Sequence, residues 1–158
     1  MNKTTRYLTQ GAIIAALYVV LTFIANALGL ANGVIQVRFS EALTILPFFT
    51  PAGIPGLTIG CLLSNILTGC SIFDIIFGTL ATFIGAVFTY LLRKHKFLAP
   101  VPPIVANVLI IPPVLKIAYG AADSLLFLMA TVGIGEVISC GVLGMLLLFA
   151  LNKQRNVI

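Results

Sequence analysis

The sequence predicts an all-α membrane protein, a bundle of six transmembrane helices with both termini in the cytoplasm. Three observations predict it. The chain is 60% hydrophobic and 8% charged, whereas a soluble domain is about a quarter charged. Its apolar residues fall into six runs separated by short Gly, Pro or polar turns. Its bases gather at the ends of alternate runs, as cytoplasmic loops require. The 158 residues are read as one domain, 1–158, in a multi-pass protein of the cell membrane.

Segment 1 runs from about residue 7 to 30, with a basic start and an apolar stretch too long for a cleaved leader. Asn32-Gly33 marks the turn after it. Segment 2, about 39–49, contains Pro47, and Thr50-Pro51-Ala52-Gly53 closes it as a tight loop. Segment 3, about 56–67, follows Pro55, which suits a helical first turn. Segments 2 and 3 fall short of the roughly 20 residues that cross a bilayer. Segment 4, about 73–92, stops at Arg93-Lys94-His95-Lys96. Segment 5, about 101–118, holds Pro112-Pro113, expected to break its hydrogen-bond ladder. Segment 6 covers about 124–151.

With six spans, Lys3, Arg6, the 93–96 run, Lys153 and Arg155 share the cytoplasmic side. The outer side then holds Arg38, Glu41, Asp74, Lys116 and Asp123. The net charge of +5 forms no stripe, so nucleic acid is not a partner. Cys61, Cys70 and Cys140 have no metal or disulfide spacing. The single histidine, His95, sits in a solvated loop, and neither HExxH nor a P-loop occurs. No enzyme, no metal and no cofactor are therefore expected, and any ATP must be hydrolysed by a partner.

Arg38 and Glu41 stand three apart, on one helical face. They form either a self-neutralising pair that caps segment 2 or the polar wall of a cavity. Asp74 and Asp123 suit helix starts, and Lys116 can snorkel outward. Glu136 lies well inside segment 6, where a lone carboxylate needs a partner and points to function. Asn65 and Asn107 can bond between helices. Gly11, Ala12, Ala15 and Ala16 make a smooth patch on segment 1 that permits close helix approach, within the chain or to a partner.

The blocks VRFSEALT at 37–44, PGLTIGCLLSN at 55–65 and DIIFGTLAT at 74–82 resemble the QueT family, substrate-binding S-components of energy-coupling factor (ECF) vitamin transporters. The resemblance runs from about residue 7 to 150, and AIIAA at 12–16 looks like the alanine motif by which S-components dock. It implies an ECF transmembrane coupling subunit and two ATPase subunits as partners. It also implies an outward pocket lined by segments 4 to 6 and closed by the loop after segment 1, for a queuosine precursor or salvage product, a 7-deazaguanine base or nucleoside. Glu136 lies low for such a pocket, which asks that segment 6 tilt or the loop before it dip inward.

A 7-deazaguanine presents N1–H and an exocyclic amine as paired donors, which a carboxylate accepts in bidentate fashion. Gln36, Arg38 or Lys116 can donate to its carbonyl, and Phe39, Phe73 or Tyr119 can stack on its ring. The expected substrate-binding set is Gln36, Arg38, Glu41, Phe73, Asp74, Asn107, Lys116, Tyr119 and Glu136, with Gly11, Ala12, Ala15 and Ala16 as the docking patch. On this reading Arg38 and Glu41 are a cavity wall first and a helix-start device second. The rivals are an S-component for another purine-like or pterin-like vitamin, a stand-alone channel or ion-coupled carrier, and a scaffold.

Overall fold

The structure, a computed structural model, describes residues 2–31 and 35–155. The expected Asn32-Gly33 turn lies outside them. The described residues form helices and no strand: α1 (Lys3–Ala27), a 3-10 helix (Phe39–Phe48), α2 (Gly53–Leu67), α3 (Ile72–Leu91), α4 (Val101–Tyr119), α5 (Leu125–Glu136) and α6 (Gly144–Arg155). A π-helical turn, Val137–Leu143, joins α5 to α6, so the two form one continuous rod. Four helices are long and apolar enough to cross a membrane: α1, α3, α4 with its lead-in from Lys96, and the α5–α6 rod.

The packing is inside out. The buried set includes Ser40, Glu41, Thr44, Ser64, Asn65, Asp74, Thr82, Asn107, Thr131 and Ser139, while leucines, isoleucines and phenylalanines stand exposed on every long helix. Such a surface is stable only against hydrocarbon.

Helix ends are set locally. Gly29, Gly69 and Gly120 take positive φ just beyond α1, α2 and α4. Leu30 N–H returns to Ala25 O at 3.0 Å and Cys70 N–H to Asn65 O at 3.0 Å, capping two of those ends. Thus α1 ends at Ala27, three residues earlier than its apolar run suggests. Ser71 and Ser124 cap the starts of α3 and α5 through their hydroxyls. Asp123, expected as that second cap, is displaced from the role by Ser124. The Pro112-Pro113 pair does not break α4 as expected, since the helix runs through it. Each proline removes its own donor and crowds the carbonyl four residues back, and α3 and α5, packed along α4, hold the helix through the pair.

Segment 2 departs most from expectation. It is a ten-residue 3-10 helix, Phe39–Phe48, buried at the centre of the bundle. The tighter coil rises about 2.0 Å per residue, so it covers about 20 Å of depth rather than the 15 Å of an α-helix. It packs on α1, α3 and the α5–α6 rod. The rod meets the 3-10 helix with Gly144 and Leu148 and the residues just before it with Gly135 and Ser139, and the step from 139 to 144 takes five residues because the π turn adds one. An apolar core fills the half of the bundle opposite the polar groups, around Tyr18, Leu43, Ile45, Leu57, Ala86 and Leu148.

α1 and α2 touch backbone to backbone. A Cβ on Gly60 would lie 2.7 Å from Tyr18 Cβ and 3.1 Å from Ala15 Cα, and one on Gly56 would lie 2.8 Å from Gly11 O. Gly60→Val should therefore destabilise the protein by about 1–3 kcal/mol, the cost of overpacking. Ile59→Ala, on a half-exposed neighbour, should cost much less. Thermal unfolding in detergent checks both, and equal losses would contradict the close α1–α2 contact.

Candidate functional site

Polar side chains collect where α1, α2 and α4 end and α3 and α5 begin. The segment 36–38 runs between these ends in extended conformation, with Arg38 at φ −113° and ψ 110°. Gly135 lets it in: any side chain there would collide with the Gln36 carbonyl. Arg38 N–H donates to Ser139 Oγ at 3.1 Å, which pins the segment to the π turn. The deep position of Glu136 is thus reached by the loop after α1. The loop before α5 reaches the same cavity as Glu136 through Asp123.

Two cavities adjoin at Gln36, Arg38 and Leu115. The deep chamber, about 200 Å³, has Glu41, Cys61, Thr82, Asn107 and Glu136 toward its floor and Asp123 and Phe127 near its rim. Its sides are apolar: Ile111, Leu115, Leu128 and Val132. The shallow chamber, about 560 Å³, is lined by Thr22, Asn26, Asn65, Thr68, Asp74 and Tyr119 among others. Helical spacing explains the lining. Asp74, Gly78 and Thr82 descend one face of α3, Asn107, Ile111 and Leu115 one face of α4, and Leu128, Val132 and Glu136 one face of the rod, each four residues apart.

Arg38 and Glu41 do not pair with each other. Arg38 precedes the 3-10 helix, and its Nη2 donates to Gln36 Oε1 at 3.4 Å. Glu41 is 3% exposed and accepts from the Tyr18 hydroxyl of α1. Its backbone carbonyl accepts from Thr44 Oγ1 at 2.6 Å and from Cys140 Sγ at 3.5 Å. Cys140 Sγ also lies 3.1 Å from Glu136 Oε2. Two carboxylates this near each other inside an apolar bundle need donors, and Tyr18 supplies one to Glu41 while Cys140 lies between the two. Donor atoms of Glu41, Glu136 and Cys140 lie within 4.8 Å of one another. Three such donors are one short of a closed tetrahedral metal site.

Asp74 is the third residue of α3, not its cap. Its N–H donates to Ser71 Oγ at 3.2 Å, and its Oδ2 accepts from Tyr119 Oη at 2.9 Å. Tyr119 Oη in turn accepts from Ser71 N–H at 3.1 Å, so the phenol ties α4 to the start of α3.

Of the expected binding set, Gln36, Arg38, Glu41, Asn107 and Glu136 line the deep chamber, and Asp74 and Tyr119 the shallow one. Phe73 and Lys116 line neither. Phe73 faces a separate apolar groove with Phe77 and Pro113, and Lys116 is exposed. Each lies one residue beyond a lining position, and a single step turns a helical side chain about 100° away. Thr82, Thr131 and Phe127 line the deep chamber without having been expected. Thr82 lies two four-residue steps from Asp74, and Phe127 and Thr131 lie four apart on a second stripe of the rod beside Leu128, Val132 and Glu136, a signal that is invisible until those faces are known to share one cavity.

The expected docking patch divides. Ala15 is buried against Gly60, and Gly11 sets its carbonyl against Gly56, so these two pack within the chain. Ala12 and Ala16 are exposed. With Leu8, Val19, Ile59 and Leu63 they line an apolar groove of about 600 Å³ between α1 and α2, and Gly11 and Ala15 form its packed base.

The Tyr18–Glu41 bond can be weighed by a double-mutant cycle in unfolding experiments. Tyr18→Phe should cost about 1.5–3 kcal/mol, since it strips a donor from a buried carboxylate. In a Glu41→Gln background it should cost about 1 kcal/mol or less, as for a neutral bond. Arg38→Gln should show smaller coupling to Glu41 than Tyr18 does. The reverse order would restore the Arg38–Glu41 pair.

A family model described as QueT transporter matches residues 8–153. A curated relative named queuosine precursor transporter QueT, from Lactococcus lactis subsp. cremoris (strain MG1363), is 40% identical over 85 residues, or 53% of this chain. The match spans about half of that relative's length, 50%. No solved structure matches the chain.

Proposed function

The chain belongs to the QueT transporter family, a family of transporters and not of enzymes, and from that premise we propose that it is the substrate-binding S-component of an ECF importer. Its ligand is a queuosine precursor or salvage product of the 7-deazaguanine class. The observation that carries the reading is the deep chamber, a polar cleft with two carboxylates near its floor inside an otherwise apolar bundle. Glu136, or Glu41 beside it, accepts the N1–H and exocyclic amine of the base as a pair. Arg38 or Asn107 donates to the ring carbonyl. Ile111, Leu115, Leu128 and Val132 sandwich the flat ring, with Phe127 over the rim. Pockets for drug-sized ligands run about 300–1,000 Å³. A chamber of about 200 Å³ therefore suits a bare base.

The orientation follows the same reading. All six helical segments cross the membrane and both termini lie in the cytoplasm, with the chambers opening outward. Lys3, Arg6, Arg93, Lys94, Lys96 and Lys153 then share the inner face. Two contacts support a common inner end: Thr50 Oγ1 donates to Gln10 Oε1 at 3.0 Å, and Thr89 Oγ1 donates to Ala99 O at 2.9 Å. The two short segments fit in different ways. The 3-10 helix is surrounded by the bundle, and α2 covers about 22 Å against a hydrocarbon core of about 30 Å.

Binding is tested by calorimetry on purified protein with 7-deazaguanine bases. Glu136→Gln should weaken binding by about tenfold or more, as expected for loss of a charge-assisted bond worth about 1.5–3 kcal/mol. Thermal stability should change little. Unaltered affinity would remove Glu136 from the site, and tighter binding of a pterin would reassign the substrate.

The exposed half of the alanine patch is the docking surface for the ECF coupling subunit, which carries two ATPase subunits. In lipid, helices associate by close packing rather than by expulsion of water, and a shallow alanine groove permits that approach. Ala12→Trp and Ala16→Trp should leave folding and ligand binding intact while abolishing co-purification with the coupling subunit and ATP-driven uptake. Ala15→Trp should instead disrupt the fold, because Ala15 packs on Gly60. Uptake by this chain alone in liposomes would support an ion-coupled carrier instead.

A further inference from the structure

We propose that the shallow chamber is a second subsite, built for a vicinal-diol ring of the ribose class carried by the ligand. This rests on the placement of the base in the deep chamber. The paired donors of a 7-deazaguanine lie on its six-membered ring. With that edge held at Glu136 and Glu41, the five-membered ring faces back toward the mouth. Any group on that ring must pass Gln36 and Arg38, where the two chambers adjoin. The space it enters, about 560 Å³, is larger than the deep chamber and would stay vacant around a bare base.

The lining selects the chemistry. Thr22, Asn26, Asn65 and Thr68 offer neutral donors and acceptors, and Asp74 offers a carboxylate. An apolar tail would leave these groups unpaired, and an anion would find Arg38 at the boundary as its one counter-ion among the described residues and Asp74 as a like charge. Asp74 is 6% exposed, and Tyr119 holds one of its oxygens. Its other oxygen has no partner among the described residues. Asn65, 5% exposed, donates its amide N–H to Asp74 O at 3.3 Å, and its side-chain carbonyl has no partner among the described residues. Asp74 Oδ1 and the Asn65 amide nitrogen both lie within 4 Å of the space above Gly78, so a carboxylate acceptor and an amide meet at one place and match the two hydroxyls of a diol, as acidic residues match ribose hydroxyls in nucleotide sites.

Calorimetry with three probes tests this: 7-deazaguanine, its ribonucleoside and the 2′-deoxyribonucleoside. The unaltered protein should bind the ribonucleoside about tenfold or more tightly than the deoxy form, as for one charge-assisted bond. Asp74→Asn keeps an oxygen for Tyr119 and should erase that difference while leaving affinity for the base within about twofold. Thr68→Val, from α2, should weaken both nucleosides and spare the base. Equal losses for base and nucleosides, or no discrimination by the unaltered protein, would overturn the subsite. Failure of the unaltered protein to bind the base at all would overturn the deep-chamber reading instead, so the two failures are told apart.

Discussion

Glu41 is a carboxylate held at 3% exposure in a bundle whose outer faces meet hydrocarbon, and much of the architecture serves to keep it partnered. An unpaired ion there would cost several kcal/mol. α1 supplies the Tyr18 hydroxyl. The 3-10 helix closes on itself through Thr44, and the π turn brings Cys140 between the two carboxylates. The residue that looks like its natural counter-ion in sequence, Arg38, is turned toward Gln36 and the boundary of two chambers instead.

The close approaches around Glu41 follow from the same requirement. A polar floor is stable only if no lipid reaches it, so the surrounding segments must pack without gaps. Gly56 and Gly60 bring α2 onto α1, Gly135 admits the 36–38 segment, and Gly144 seats the rod on the 3-10 helix. Within the bundle, irregular backbone lies where other segments pack on it: the 3-10 helix Phe39–Phe48 at the centre, the inner face of the π turn against it and the extended segment between helix ends. The regular helices face lipid, where each backbone group must be bonded within its own segment.

Cationic side chains rest on aromatic rings at the end opposite the chambers. Arg93 lies over Tyr90 at 4.2 Å, and Lys96 lies near the rings of Phe97 and Phe149 at 5.1 and 5.8 Å. Basic heads with aromatic bodies suit the headgroup boundary, where one side is apolar and the other wet. One end of the molecule thus suits the headgroup boundary, and the other holds the two chambers.

By itself the sequence determined the number and order of the helical segments, the solvent around them, the family, and the set of rare polar residues from which a site had to come. Those properties are local or compositional: hydropathy, turn residues and charge along the chain decide them. Only the tertiary structure decided which polar residues meet. Arg38 and Glu41 are neighbours in sequence yet face different partners, because the helix begins between them and the chain enters it extended. Tyr18 and Cys140 are 23 and 99 residues from Glu41 and bond to it. Phe73 and Lys116 miss the chambers by one helical step. The alanine patch splits into a packed half and an exposed half according to which side of α1 α2 covers. Long-range packing in lipid depends on the fit of small residues between helices, and a single chain read in order carries no record of which faces are opposed.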